Sequence, residues 1–500
     1  MSIEYFLNSL YLIKPEIVVT TFLVFVVLLD LFSNKRNNLL PFFSILGLLV
    51  TGYFVLEQFG LKGLAFVTSD SRAMVSVDSF SAFFKSIVVL SSIYFILMTV
   101  YSKEMEETFD RTGEYYTLMF GMVLGMFFMI SGSDLILLYL SVELVSLSSY
   151  VMAGFAKNSE KSSEASLKYL IYGALSSGLM LFGISLIYGL TASTNLYELN
   201  PLLIVSEANS FILMFAMLLI FAGIGYKISA VPFHFWTPDV YEGAPTPVTA
   251  YLSVASKAAG FALLIRLIKV SFIAEKDTFG FWIYNPIFNW QDFLVIISVA
   301  TMTLGNFAAL WQKNVKRMLA YSSIAHAGYL LAALAVLSDT GLVAVLVYFA
   351  VYLLMNLGAF LIVIFIKNKT GSEELDSYDG IGFSMPFLGV SFTIFLVSLT
   401  GLPPTAGFIG KLYLFIALVD AKMFVLAIIA LLNSVVSLYY YIRILKHMFL
   451  AKPSENSPKE ELSAVQFIIL FSLVIPVLLF GVYFSPIVEL AKNSILLLGF

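Results

Sequence analysis

Cysteine is absent from all 500 residues. That excludes cysteine-ligated iron–sulfur clusters and thiol chemistry within the chain. Charge is scarce too: Asp, Glu, Lys and Arg make up 12% of residues, against about 25% in soluble proteins. Net charge is −4, and no basic block interleaves with aromatics, which argues against a nucleic-acid partner. P-loop, nucleophile-elbow and zinc-ligand spacings are missing, and Gly223-x-Gly225 lacks the strand-turn-helix setting of a dinucleotide site. The sequence shows no site for redox or covalent chemistry. Its start, MSIEYFLNSLYLIKPE, lacks the basic n-region of a signal peptide, so the first helix is expected to be a retained span.

What the chain has in excess is apolar surface. Hydrophobic residues reach 60% and mean hydropathy is +0.93, with runs of about 20 apolar residues from end to end. The expected fold is an all-α polytopic membrane protein; a barrel would need short alternating strands instead. About fourteen spans are expected. They lie near Glu16–Ser33, Leu39–Gln58, Asp78–Tyr101, Tyr115–Ser131, Asp134–Phe155 and Ser166–Leu190. A seventh begins near Ser210 and breaks at Pro232, and Pro247–Ile268, Asp292–Trp311, Met318–Ser338 and Gly341–Ile366 follow. A broken Ile381–Leu418, then Met423–His447 and Ala464–Leu490, complete the set.

If these spans alternate, sixteen of the 28 Lys and Arg residues fall in one set of loops and eight in the other. The first set includes Lys35, Arg36, Arg111, Lys168, Lys316, Arg317, Lys367 and Lys459; the second includes Arg72, Arg266 and Lys269. The bias expects both termini on the non-cytoplasmic side. The breaks at Ala230–His234 and Gly401–Thr405 lie five spans apart. An odd number of helices per unit inverts successive units, and paired broken helices point to a transporter's ion site. The expected division is 1–113 (spans 1–3), 114–270 (spans 4–8), 271–448 (spans 9–13) and 449–500 (span 14).

Four lysines fall inside spans: Lys85, Lys227, Lys257 and Lys411. Lys85 lies about two turns from a span start, where snorkelling to the interface is expected. Lys227 precedes Pro232, whose missing N–H frees carbonyls that could solvate an ammonium; the alternative is a purely structural lysine that caps the broken helix. Lys257 is flanked by Ser253, Ala255, Ser256, Ala258 and Gly260, small residues that leave room for water. Glu143, in YLSVELVSL, is either a structural polar group or a proton-handling carboxylate whose partner is a distant lysine. His234 and His326 could bridge lysines through water or be held in the core by hydrogen bonds; nothing in their spacing supports haem ligation. Asp239 and Glu242 are read as water-solvated, and Gly121-x-x-x-Gly125 as a helix-packing motif. Energetically, lysine suits proton transfer. Bringing its titration from ~10.4 to ~7.4 costs about 4 kcal/mol, and moving a charge through ~150–200 mV costs about 3.5–4.6 kcal/mol.

VPFHFWTPDVYEGAPTPV, with Lys227 before it and Lys257 after it, closely resembles the subunit N family of bacterial NADH–quinone oxidoreductase, respiratory complex I. LYLSVELVSLSSY, EASLKY, LAYSSIAHAGY and GLPPTAGFIGK resemble the same family, in the same order. The sister M family usually carries glutamate where Lys411 stands, and the sister L family is longer. The resemblance implies an antiporter-like subunit of two inverted five-helix repeats. It implies that Glu143 pairs with Lys227, that Lys257 relays the proton along a hydrated axis, and that Lys411 exchanges it with the far side. Glu114, Glu164 and Lys168 match further polar positions of the family; Lys85 matches none. It also implies a proton-translocating subunit of an oxidoreductase in the bacterial inner membrane. NADH, FMN, iron–sulfur clusters and quinone are then expected in partner subunits, with no cofactor in this chain. The rival reading is a subunit of a multi-subunit cation/proton antiporter.

Overall fold

The computed structural model describes residues 3–32, 39–67, 73–108, 112–205, 210–284, 288–452 and 462–497. Lys35, Arg36, Arg72, Arg111 and Lys459, and the end of the first expected span at Ser33, lie outside them. Among the described residues, eleven helices are long and apolar enough to cross a membrane. Two bent pairs qualify jointly: Ile3–Leu12 with Lys14–Leu31, at 74°, and Leu375–Ser384 with Pro386–Thr400, at 119°.

The tenth expected span is a 20-residue helix, Val315–Leu334, and is not apolar enough to join that set. The reason is its position. Almost all its side chains are buried in protein, so it meets little lipid and can carry Lys316, Arg317 and His326. Thr246–Phe272 is likewise buried throughout, and Asp339–Thr370 nearly so. The outer helices show the reverse of a soluble pattern. On Leu135–Ala153 the outward residues Leu140, Leu144, Leu147 and Val151 are apolar, whereas Ser141, Ser146 and Ser149 point inward and are buried. A greasier outside than inside is what a lipid solvent selects.

Backbone groups at helix ends find partners in the chain itself, as an apolar solvent requires. Asp78 caps Ser79–Val100 through a capping box with Ser81, and Asp134 caps Leu135–Ala153 through Ile136 and Leu137. Two short antiparallel hairpins, absent from the sequence reading, pair Gly63–Val67 with Ala73–Val77 and Ile273–Lys276 with Trp282–Tyr284. The small-residue motif packs as expected. A Cβ on Gly125 would sit 2.7 Å from Val145 Cγ2 and 3.1 Å from the Ser141 carbonyl oxygen, so Thr112–Ser131 lies hard against Leu135–Ala153.

Besides the buried Lys316, three basic residues depart from the loop and interface positions expected of them. Lys85 does not snorkel: it is fully buried, 2.6 Å from Glu16 and 3.1 Å from Gln58 Oε1. Burying an ammonium is tolerable here because a carboxylate from the first helices is buried with it. Arg266 is also fully buried, its guanidinium forked onto Asp78 at 3.0 Å twice and onto the Ile130 carbonyl oxygen at 2.9 Å. Lys269 is buried under the second hairpin, 5.0 Å from the Trp282 ring centroid.

Candidate functional site

Ser210–Ile228 ends one residue after Lys227. Ser229 then turns into the left-handed region at φ 62°, and the chain re-enters a short helix at Trp236–Gly243. The carbonyls freed by the break do not solvate the lysine as expected. The Gly225 carbonyl accepts from Ala230 N–H at 2.8 Å and the Tyr226 carbonyl from Trp236 Nε1 at 2.9 Å. Lys227 Nζ reaches the facing helix instead and donates to Ser146 Oγ at 3.0 Å. Ser146 is one turn beyond Glu143, whose Oε1 is buried without a hydrogen-bond partner. Among the described residues Lys227 and Glu143 form no ion pair within 4 Å, although Glu143 is near enough to act on the ammonium electrostatically. A serine stands where direct pairing was expected.

Lys257 follows a single π turn, Leu252–Ser256, inside the wholly buried helix. Its Nζ donates to Ser323 twice, to the carbonyl oxygen at 2.9 Å and to Oγ at 2.5 Å. One turn on, Gly260 lets the two lysine helices cross closely. A Cβ there would meet Ile228 Cγ2 at 2.7 Å and the Lys227 stem at 3.6 Å.

Ser323 begins a polar stripe along Val315–Leu334 that continues at three-residue steps through His326 and Tyr329, on one helical face. His326 Nδ1 lies 2.8 Å from Tyr348 OH and Nε2 lies 3.4 Å from Tyr441 OH. Tyr441 OH in turn lies 2.5 Å from Ser322 Oγ. The Tyr329 ring centroid is 4.9 Å from Lys411 Nζ. Lys411 donates to the Thr400 carbonyl oxygen at 2.5 Å and to Ser434 Oγ at 2.7 Å. Thr400 ends Pro386–Thr400, and the break follows at Gly401, with φ 87°. Lys257, His326 and Lys411 thus share one helix as their wall, and each rests on neutral hydroxyls or carbonyls rather than on a carboxylate.

The remaining candidates lie apart from this file. The His234 ring packs on Phe235 at 4.6 Å, its Nδ1 is buried without a partner, and no bond joins it to the lysines among the described residues. Glu164 and Lys168 belong to an ion-pair network near one end of the bundle, at 2.7 Å from each other. Asp239 and Glu242 belong to it as well, which corrects their reading as water-solvated. Asp239 takes Lys168 at 2.6 Å and Arg317 at 2.7 Å, and Glu242 takes Arg317 at 2.9 Å and Lys161 at 3.1 Å. Glu114 lines a polar cavity of about 1110 Å³ together with Lys103, Glu104, Lys157 and Lys367. Beside it Glu373 is gripped by Lys367 at 2.7 Å and Lys316 at 3.2 Å.

Burial pushes the Glu373 carboxyl up, but the two ammoniums more than offset this and hold it at about 2. Its stabilising contribution, roughly 3 kcal/mol, is therefore complete above the unfolded value of about 4.3. It is lost as pH falls toward about 2. The stability advantage of the native chain over Glu373→Gln should be constant from about pH 5 to 8 and shrink below about pH 4, as read by denaturation midpoints in detergent.

Sequence reasoning missed Ser146, Ser323, Ser434 and Lys316. The first two carried a signal, lying three residues after Glu143 and three before His326. Among the described residues no group of three His, Asp or Glu side chains is placed to hold a metal ion.

A lipid-exposed helical bundle with broken helices and a file of buried lysines defines an antiporter-like membrane subunit. Residues 132–437 match the family described as NADH:quinone oxidoreductase/Mrp antiporter, TM. A protein named NADH-quinone oxidoreductase subunit N 2, from Chloroherpeton thalassium, is 46% identical over 97% of this chain and 94% of its own length. NADH-quinone oxidoreductase subunit N of Chlorobium chlorochromatii is 47% identical over the same shares. A chain of respiratory complex I from Thermus thermophilus with bound aureothin superimposes with a TM-score of 0.78 at 29% identity, covering 96% of this chain and 99% of that one. A chain of the Mrp complex from Dietzia sp. DQ12-45-1b shares the fold, with a TM-score of 0.81 at 20% identity over 98% and 97%. The chain belongs to the NADH-quinone oxidoreductase subunit N family.

Proposed function

We propose that this chain is a proton-translocating membrane subunit of a type I NADH–quinone oxidoreductase, driven by redox chemistry in partner subunits that hold NADH, FMN, iron–sulfur clusters and quinone. It sits in the bacterial inner membrane beside sister antiporter-like subunits, with both termini non-cytoplasmic and with 114–270 and 271–448 as inverted repeats. One observation carries the reading: three buried lysines are held by neutral oxygens, and two of them, Lys257 and Lys411, flank one helix whose buried His326 lies between the Ser323 and Tyr329 they approach. An ammonium bound only to neutral acceptors can give up its proton without leaving a carboxylate unpaired.

The roles follow from position. Lys227 holds a proton against Ser146, and Glu143 sets how tightly. Drawing Glu143 from ~8 Å to ~4 Å of the ammonium is worth about 2 kcal/mol at an effective dielectric constant of ~20. A proton crossing ~150–200 mV needs about 3.5–4.6 kcal/mol. One such rearrangement does not suffice, so the Lys227 step must be coupled to a second along the file. The proton released passes to Lys257, then by the Ser323, His326 and Tyr441 hydrogen-bonding groups to Lys411, which exchanges it with the far side.

In the assembled complex reconstituted into liposomes, Lys257→Ala should lower the protons moved per NADH oxidised while NADH oxidation continues. Unchanged pumping would overturn the assignment. A chromosomal neighbourhood holding redox subunits, rather than only antiporter subunits, separates this reading from a cation/proton antiporter.

A further inference from the structure

Lys316 is a buried lysine that the file above does not use. Its helix places it seven residues before Ser323, two turns or about 10.5 Å along the axis, on the same face as the oxygens that hold Lys257. Its Nζ donates to the Ala244 carbonyl oxygen at 2.7 Å and to Glu373 Oε1 at 3.2 Å, which leaves its third N–H for the file.

Charged groups connect it outward. Glu373 also holds Lys367 at 2.7 Å, and Lys367 holds Glu104 at 2.9 Å. Lys367 and Glu104 both line the 1110 Å³ polar cavity. Inward, the short helix Trp236–Gly243 touches both lysines: its cap, Ala244, takes Lys316, and its Tyr241 ring lies 6.0 Å from Lys257 Nζ. The Tyr241 hydroxyl is buried without a hydrogen-bond partner, as is that of Tyr352, whose ring packs 5.1 Å from His326. Unpartnered hydroxyls at this depth offer a proton path the donors and acceptors it needs.

Resting on the function proposed above, we infer that Lys316 is a second lysine that loads Lys257, required beside Lys227 and taking its protons from the cavity side. The transfer balances simply. The Lys316 ammonium releases one proton toward the amine of Lys257, and the Lys316 amine regains one from water on the cavity side. Glu373 positions the ammonium and, being firmly ionised, carries no proton itself.

A buried ion pair that only holds the helices together would make the same contacts, and arginine separates the two. Arginine keeps charge and partner but does not deprotonate in proteins. In liposome-reconstituted complex, Lys316→Arg should assemble, oxidise NADH, and lose proton movement as far as Lys257→Ala does. Lys161→Arg, an exposed lysine paired with Glu242 apart from the file, should pump normally. Normal pumping by Lys316→Arg beside deficient pumping by Lys257→Ala overturns the loading role and leaves the proposed function standing. Normal pumping by both overturns both. If Lys316→Arg does not assemble, Lys316→Gln decides on the same readout, with normal pumping again overturning the role.

Discussion

Asp78→Asn should destabilise the protein by about 3–5 kcal/mol, the largest loss of stability expected from any single substitution considered. Both partners of the Asp78–Arg266 pair are wholly buried, so asparagine would leave a buried guanidinium without its carboxylate, among neutral groups such as the Ile130 carbonyl and Tyr197. Asparagine isolates that effect because its side-chain oxygen can still accept from Ser81 N–H, now at 2.8 Å, preserving a cap worth about 1 kcal/mol. The pair joins segments 188 residues apart, so unfolding should begin where Ser79–Val100 meets Lys257–Phe272. Replacing both residues by apolar ones of similar volume, Asp78→Leu with Arg266→Met, should recover most of the loss. With no native cysteine, one engineered buried thiol gives a background-free probe of thermal unfolding. A single Asp78→Asn change that left the midpoint unmoved would show that the pair contributes nothing net.

The second large effect is functional and alters no charge. Gly401 combines φ 87° with a close approach: an added Cβ would lie 2.5 Å from Lys411 Cδ and 3.1 Å from Cε. Gly401→Ala therefore meets two costs at once, a left-handed backbone worth roughly 1–2 kcal/mol and displacement of the lysine stem. Because Lys411 is flexible, it will move rather than the backbone, and its ammonium will leave the Thr400 carbonyl. Pumping should fall toward the level of Lys411→Ala, with assembly and NADH oxidation retained. Equal pumping in the alanine variant and the native complex would show that the Thr400 contact is dispensable.

Local features were readable from the sequence because each is decided by neighbours in the chain. The breaks at Pro232 and Gly401, the apolar span lengths and the intramembrane lysines all belong to that class. Partnerships were not readable. Glu16 with Lys85, Asp78 with Arg266 and Lys316 with Glu373 bridge long separations, and a single sequence holds no record of which distant charge answers which. Position-based readings failed for the same reason: Lys85 near a span start and Arg266 near a span end look like interface residues until a carboxylate is found beside them. Val315–Leu334 shows the opposite case, a helix whose middling hydropathy makes sense only once its shielding neighbours are known.

The π turn at Leu252–Ser256 has a further consequence, concerning angular phase. A π turn absorbs one surplus residue, so every residue beyond it lags an ideal α-helical wheel by about 100°. A helical wheel drawn for Thr246–Phe272 therefore places only one half correctly, and the dividing line falls directly before Lys257. Deleting Ala255 would turn the segment into ordinary α-helix while removing nothing polar, and because the π turn already absorbs the surplus residue it would leave Lys257 at the same angle to Thr246. The direction in which this lysine points is written in the turns of helix before it rather than in the bare count of residues.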